Sequence, residues 1–164
     1  MTRKLLNIVG VVCLLCGCRT QQTYQPGVRI QMPATAPRFE IFASDGWQKT
    51  GIFANIGDRI GFQADGIWSL KDEVEVCNAN GIEYSSLGIR LPARNPLPRE
   101  SHGMLIARIG DTQAFPIGTE AEMISTGFGE VWLRCNDGKP GDNVGVITVT
   151  VDLVRASSRS LKEY

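Results

Sequence analysis

One histidine, His102, serves the whole of this 164-residue chain, and the motifs that build common hydrolytic and phosphoryl-transfer centres are missing. There is no Gly-x-Ser-x-Gly elbow, no His-Glu-x-x-His pair and no Walker loop. His102 itself precedes Gly103 at the start of an expected strand, where a histidine is ordinarily a turn residue. Glu73, Glu75, Glu100 and Glu120 are far apart in sequence, so carboxylates paired for glycoside hydrolysis would have to be assembled by the fold alone. The chain is expected not to be an enzyme. A charge of one sign is also lacking: 17 Lys and Arg balance 17 Asp and Glu, which gives no bulk attraction for nucleic acid. Helical periodicity is absent as well, since no window repeats apolar residues at helical spacing for three turns.

What is present begins with a targeting segment. Arg3 and Lys4 precede an apolar stretch from Leu5 to Leu15 that is too short to span a membrane as a mature helix. Leu15-Cys16-Gly17-Cys18 then resembles a bacterial lipobox, which implies removal of residues 1–17 and acylation of Cys18. Arg19 follows, with no Asp to suggest inner-membrane retention, so an outer-membrane lipoprotein is expected by analogy. Processing would leave 147 residues with 15 basic and 17 acidic side chains, a formal charge of −2. That length suits one domain with its own core. Residues 18–37 are polar and proline-bearing and read as a tether, although Gly27 to Met32 alternates and suits a short edge strand. Residues 38–164 make the domain.

From Arg38 onward the signals are short and β-like. Strands are expected at Phe39–Ala43, Thr50–Asn55, Arg59–Asp65, Ser86–Leu91, Gly103–Ile109, Ala121–Thr126, Glu130–Cys135 and Gly145–Val154. Eight or so suit an all-β sandwich. Lys71–Tyr84 and Pro92–His102 read as long loops able to border a site. Trp47, Trp68 and Trp132 lie in or beside strands, and core packing is expected for at least two of them. Cys77 and Cys135 remain as an even pair in an oxidising compartment, so a disulfide between them is one reading. A buried strand-face thiol at Cys135 is the other.

The densest chemistry lies between the last two strands. Val131, Leu133 and Cys135 share one face, and Val146, Thr148 and Thr150 alternate with Ile147, Val149 and Val151. Between them, Asp137, Asp142 and Asn143 carry side-chain oxygens, while Gly138, Gly141 and Gly145 allow tight backbone folding. An ordinary turn uses the same residues, and the spacing is not that of an EF-hand. A hard cation such as Ca²⁺ would nevertheless accept these donors, taking roughly six to eight oxygens at about 2.3–2.6 Å.

Several pieces taken in order resemble the PA-I type galactophilic lectin domain of bacteria. Trp47 with Thr50-Gly51-Ile52, Gly57-Asp58, Ala64, Gly66 and Trp68 match its first half. Leu105-Ile106-Ala107-Arg108-Ile109-Gly110, Ile117-Gly118, Leu133, Asn136-Asp137 and Asp142-Asn143-Val144-Gly145 continue it, so the resemblance spans about Phe39 to Val154. It implies a single jelly-roll-like antiparallel β-sandwich that binds sugar through a calcium ion at the loop before the last strand. Carried over by position, the metal ligands are Asp137, Asp142 and Asn143 with the backbone carbonyl of Leu70, and Gly141 offers only a carbonyl. Asp137, Asp142 and Asn143 would also contact the sugar. Relatives assemble through sandwich edges, which implies a homo-oligomer. The loop is two residues shorter than in the galactose lectin, and its sugar-side His and Gln have no counterpart in Arg90–Asn95, so galactose specificity does not transfer. Two functions follow: a lipid-anchored, calcium-dependent carbohydrate-binding protein of the cell envelope, or a structural or protein-interaction lipoprotein that keeps the sandwich without the sugar site.

Overall fold

The computed structural model describes residues 31–70, 75–83 and 94–157. Residues 1–17, Cys18, most of the tether and the expected strand Ser86–Leu91 lie outside the described residues. The described residues form nine strands: β1 (Arg38–Phe42), β2 (Gln48–Ala54), β3 (Arg59–Leu70), β4 (Glu75–Cys77), β5 (Leu105–Ile109), β6 (Phe115–Pro116), β7 (Glu120–Ile124), β8 (Gly129–Cys135) and β9 (Val144–Val154). The sole helical element among them is a 3-10 turn at Pro140–Asp142. The protein is an all-β sandwich of two antiparallel sheets.

The first sheet runs β1-β9-β3-β4, with β7 beside the first half of β3 and β4 beside its end. The second runs β2-β8-β5-β6. β9 is the spine of the first sheet because its β-branched residues suit a pleated surface and alternate cleanly. Ile147, Val149 and Val151 are completely buried while Val146 and Thr148 face out. Burying such side chains contributes roughly 1.5–3 kcal/mol each. They meet Val131, Leu133 and Cys135 of β8 and Leu105, Ala107 and Ile109 of β5 across the core. Phe62 and Phe115 close one side in an edge-to-face contact, centroids 6.4 Å apart.

Several expectations need correction. β3 continues past Asp65 to Leu70, since Gly66 keeps register with Ile147 at a φ of 117° that a side chain would resist. The expected loop Lys71–Tyr84 contains β4, and Ile82 bridges to His102. Of the three tryptophans only Trp68 is in the core, where its indole N–H donates to Gly103 O at 2.9 Å. Trp47 and Trp132 are half-buried on the outer face of the second sheet, the face opposite Val131 and Leu133. Gln31 and Met32, the described part of the suggested edge strand, are not in a strand.

Candidate functional site

β8 ends and β9 begins at the same end of the sandwich, so the segment between them caps that end. Asn136 anchors it. Fully buried, its side chain accepts from Leu97 N–H at 2.9 Å and donates to Leu97 O and Ser101 O, both at 3.0 Å. The 94–101 loop is thereby fastened over the end of β8. Gly138 lies so close to the Arg94 carbonyl that a Cβ there would collide with it, so the turn requires glycine at this approach.

Asp137 and Asn143 come together. They are 6% and 4% exposed, and Asn143 Nδ2 donates to Asp137 Oδ2 at 3.0 Å and to Ala43 O at 3.3 Å. The other oxygen, Asp137 Oδ1, accepts from Lys139 N–H at 2.7 Å. His102, which looked like an ordinary turn residue, is buried with Nε2 at 3.7 Å from Asp137 Oδ2. Its other ring nitrogen, Nδ1, lies 3.2 Å from Asn95 Nδ2 and 3.3 Å from Asn95 Oδ1, and that same Oδ1 accepts from Gly138 N–H at 3.2 Å. Sequence reasoning missed Asn95, His102 and the Ala43 carbonyl. Their meeting is long-range, and the one available signal was that the only histidine borders a loop already suspected of bordering the site.

The remaining expected ligands are engaged differently. Leu70 stands one step beyond the Ser69–Val144 pair of β3 and β9, hence in register with Asn143. Asp142, in the 3-10 turn, is bonded to Lys139 Nζ at 2.7 Å. That bond holds its carboxyl below the ordinary carboxylate range. Gly141 has nothing within 4 Å of where a Cβ would stand, so its backbone is open on that side. The Asp137 carboxylate and the Asn143 amide thus meet in one buried corner, and carboxylate and amide oxygens are hard-cation donors. The fit has one condition: Asn143 now turns its NH₂ toward Asp137, and the amide must rotate to offer an oxygen. Among the described residues no three His, Cys, Asp or Glu side chains cluster as a metal site, so amide and backbone oxygens would have to complete the set.

Cys77 and Cys135 are two buried free thiols and not the disulfide that was one reading of the pair. They belong to opposite sheets, Cys135 on β8 and Cys77 on β4. Burial pushes the Cys77 thiol up to about 11 and raises Cys135 further, helped by the Asp137 charge. A cleft of about 590 Å³ lies elsewhere, lined by Leu97, Glu100, Thr112, Phe115 and Pro116, and contains none of the expected ligands.

Two packed antiparallel sheets define an all-β sandwich, with a polar corner ahead of its final strand. Among solved structures the chain is similar to the N-terminal domain of EclA, described as a PllA-like lectin, with 21% identity, a TM-score of 0.55, and 71% of this chain and 94% of that one covered. No family model matches the chain, and no curated protein does.

Proposed function

We propose that the protein is a calcium-dependent carbohydrate-binding protein of the bacterial cell envelope, related to the PA-I type galactophilic lectins and anchored by lipid at Cys18. The observation that carries this reading is the buried contact between Asp137 and Asn143, 3.0 Å apart, immediately ahead of the last strand of a lectin-like sandwich. Asp137, Asp142 and Asn143, with the carbonyls of Leu70 and Gly141, would hold the ion. When bound, Ca²⁺ supplies coordination positions that vicinal sugar hydroxyls fill in place of water. Asp137 accepts a hydrogen bond from the same hydroxyls, and His102, backed by Asn95, fixes where that carboxylate sits. Recognition rather than bond cleavage is the chemistry these groups suit.

The topology supports an orientation for the anchor. Arg38 pairs with Thr150, and Phe42 with Val146, so the chain enters β1 at the end of the sandwich away from the Asp137 corner. A lipid on Cys18, at the outer membrane by the lipobox reading, would then hold the corner away from the bilayer. Assembly into homo-oligomers through sheet edges belongs to the same proposal.

One set of contacts favours the second reading, an interaction or structural lipoprotein without a sugar site. Asp137 is already satisfied by Lys139 N–H and the Asn143 amide, and Asp142 by Lys139. Thermal melting separates the two readings. Calcium is expected to raise the melting temperature, by about 2.7 kcal/mol of stability at a hundredfold excess over Kd, and a cognate glycan to raise it again. A calcium response with none from a broad glycan panel supports the second reading. No calcium response contradicts the first.

A further inference from the structure

The outer face of the second sheet carries side chains from three strands in a two-by-three grid. Lys49 and Arg108 stand directly across from Trp132 on either side, and Ile106 stands across from Arg134. Trp47, one step beyond the Gln48–Leu133 pair, falls on the other side of Arg134. Cations and indoles therefore alternate. Lys49 Nζ lies 5.1 Å from the Trp132 ring, and the Arg108 guanidinium lies 5.0 Å from that ring and 4.9 Å from Trp47. Arg134 lies 5.6 Å from Trp47. All four distances are cation–π contacts.

No described carboxylate forms an ion pair with these cations, although the Asp137 charge acts on Arg134. Among the described residues, ion pairs engage Arg59, His102, Lys139 and Arg155, and none engages Lys49, Arg108 or Arg134. Glu130, the acid nearest along β8, accepts from Gly51 N–H. Arg134 also donates to the carbonyls of Cys135 and Asp137, which ties the grid to the corner loop. Arg108 is held between two indoles with its Nε buried and without a hydrogen-bond partner. A chain with a formal charge of zero thus places three cations, none with an ion-pair partner among the described residues, on the outer side of one sheet, around a fully buried Ile106.

We propose that this grid binds an acidic saccharide, a chain whose carboxylates meet Lys49, Arg108 and Arg134. A guanidinium that already contacts two rings is restrained, so less freedom is lost when its fork meets a carboxylate. Lys49 and Arg108 are two strand spacings apart, about 9–10 Å, a separation that carboxylates on different residues of one linear acidic saccharide can match. The indole faces are covered by cations, which removes the open ring needed to stack a nucleobase. Sugar hydroxyls need no open ring, because they bond to guanidinium and indole N–H groups at the edges. Lys49 and Arg108 touch none of the oxygens of the Asp137–Asn143 corner, so their share of the binding works without calcium.

Titration calorimetry of the full chain with a galacturonic acid oligomer in EDTA is the test, with a neutral oligosaccharide of equal length beside it. The acidic oligomer binds and the neutral one does not. Arg108→Gln weakens binding about tenfold or more, and Lys49→Gln, at an exposed position that leaves the fold intact, weakens it about threefold. Affinity falls as salt rises. The proposal is overturned by no binding in EDTA, by equal binding of the neutral oligomer, by indifference to both substitutions, or by tighter binding of a single-stranded oligonucleotide of equal charge. Binding that appears only when calcium is restored overturns it while leaving the calcium corner standing.

Discussion

Asp137→Ala withdraws a carboxylate from two donors, Lys139 N–H at 2.7 Å and Asn143 Nδ2 at 3.0 Å, and from beside His102 Nε2, 3.7 Å away. Water can replace the first, because Lys139 is exposed. Asn143 is 4% exposed, so its loss is not made up by solvent. A buried donor deprived of its partner costs about 1–3 kcal/mol. Asn143 retains Ala43 O at 3.3 Å, which puts its share at the low end. The total is roughly 1–2 kcal/mol, or about 3–8 °C in melting temperature for a domain of this size. Asp137→Asn keeps one oxygen and is expected to lose about half as much. Urea denaturation of wild type and both variants in chelator measures the difference without any contribution from metal. A loss below about 0.5 kcal/mol for the alanine variant, the level of an ordinary surface change, would show that the carboxylate does not organise the corner.

Other consequences follow from other parts of the fold. Asp58 accepts from Asn55 N–H, Ala156 N–H and Arg155, and its pKa is lowered chiefly by the two backbone donors. A lowered folded-state value means that its stabilisation is complete above about pH 4 and is lost as pH falls through that lowered value. Asp58→Asn should therefore destabilise at neutral pH, with a difference from wild type that closes in acid denaturation scans. Gly103 sits at φ 73°, where a Cβ would stand 2.6 Å from Leu70 Cδ1 and 3.1 Å from Cys77 Sγ; Gly103→Ala should cost about 1–3 kcal/mol in a denaturant melt. Cys77 and Cys135 should resist thiol reagents at neutral pH until denaturant is added, because burial suppresses their thiolates. An intact mass short by two hydrogens would instead mean that the pair is bridged.

Alternation made most of the sandwich legible. Val131-Leu133-Cys135 and Ile147-Val149-Val151 announced both strands around the corner and which face each buries, and the structure bears this out. The same alternation places Trp132 outside the core, since it must face away from Val131 and Leu133. β4 and β6 could not be seen, because strands of three and two residues are too short to show a period and exist only through their neighbours. Gly66 read as a strand end, yet pairing with Ile147 carries β3 straight through it. Asp137 and Asn143 were legible as a pair because one turn brings them together. Asn95, His102 and Ala43 were not, since they reach the corner from three separate segments and only tertiary folding joins them.

Whether the corner gathers oxygens around a divalent ion is settled most directly by diffraction from crystals soaked in millimolar calcium, compared with crystals kept in chelator. The account predicts a peak bonded to Asp137 at about 2.3–2.6 Å, with the Asn143 amide turned so that its oxygen faces the ion. The same Asn143 Nδ2 to Asp137 contact in both crystals, with no ion between, would contradict it.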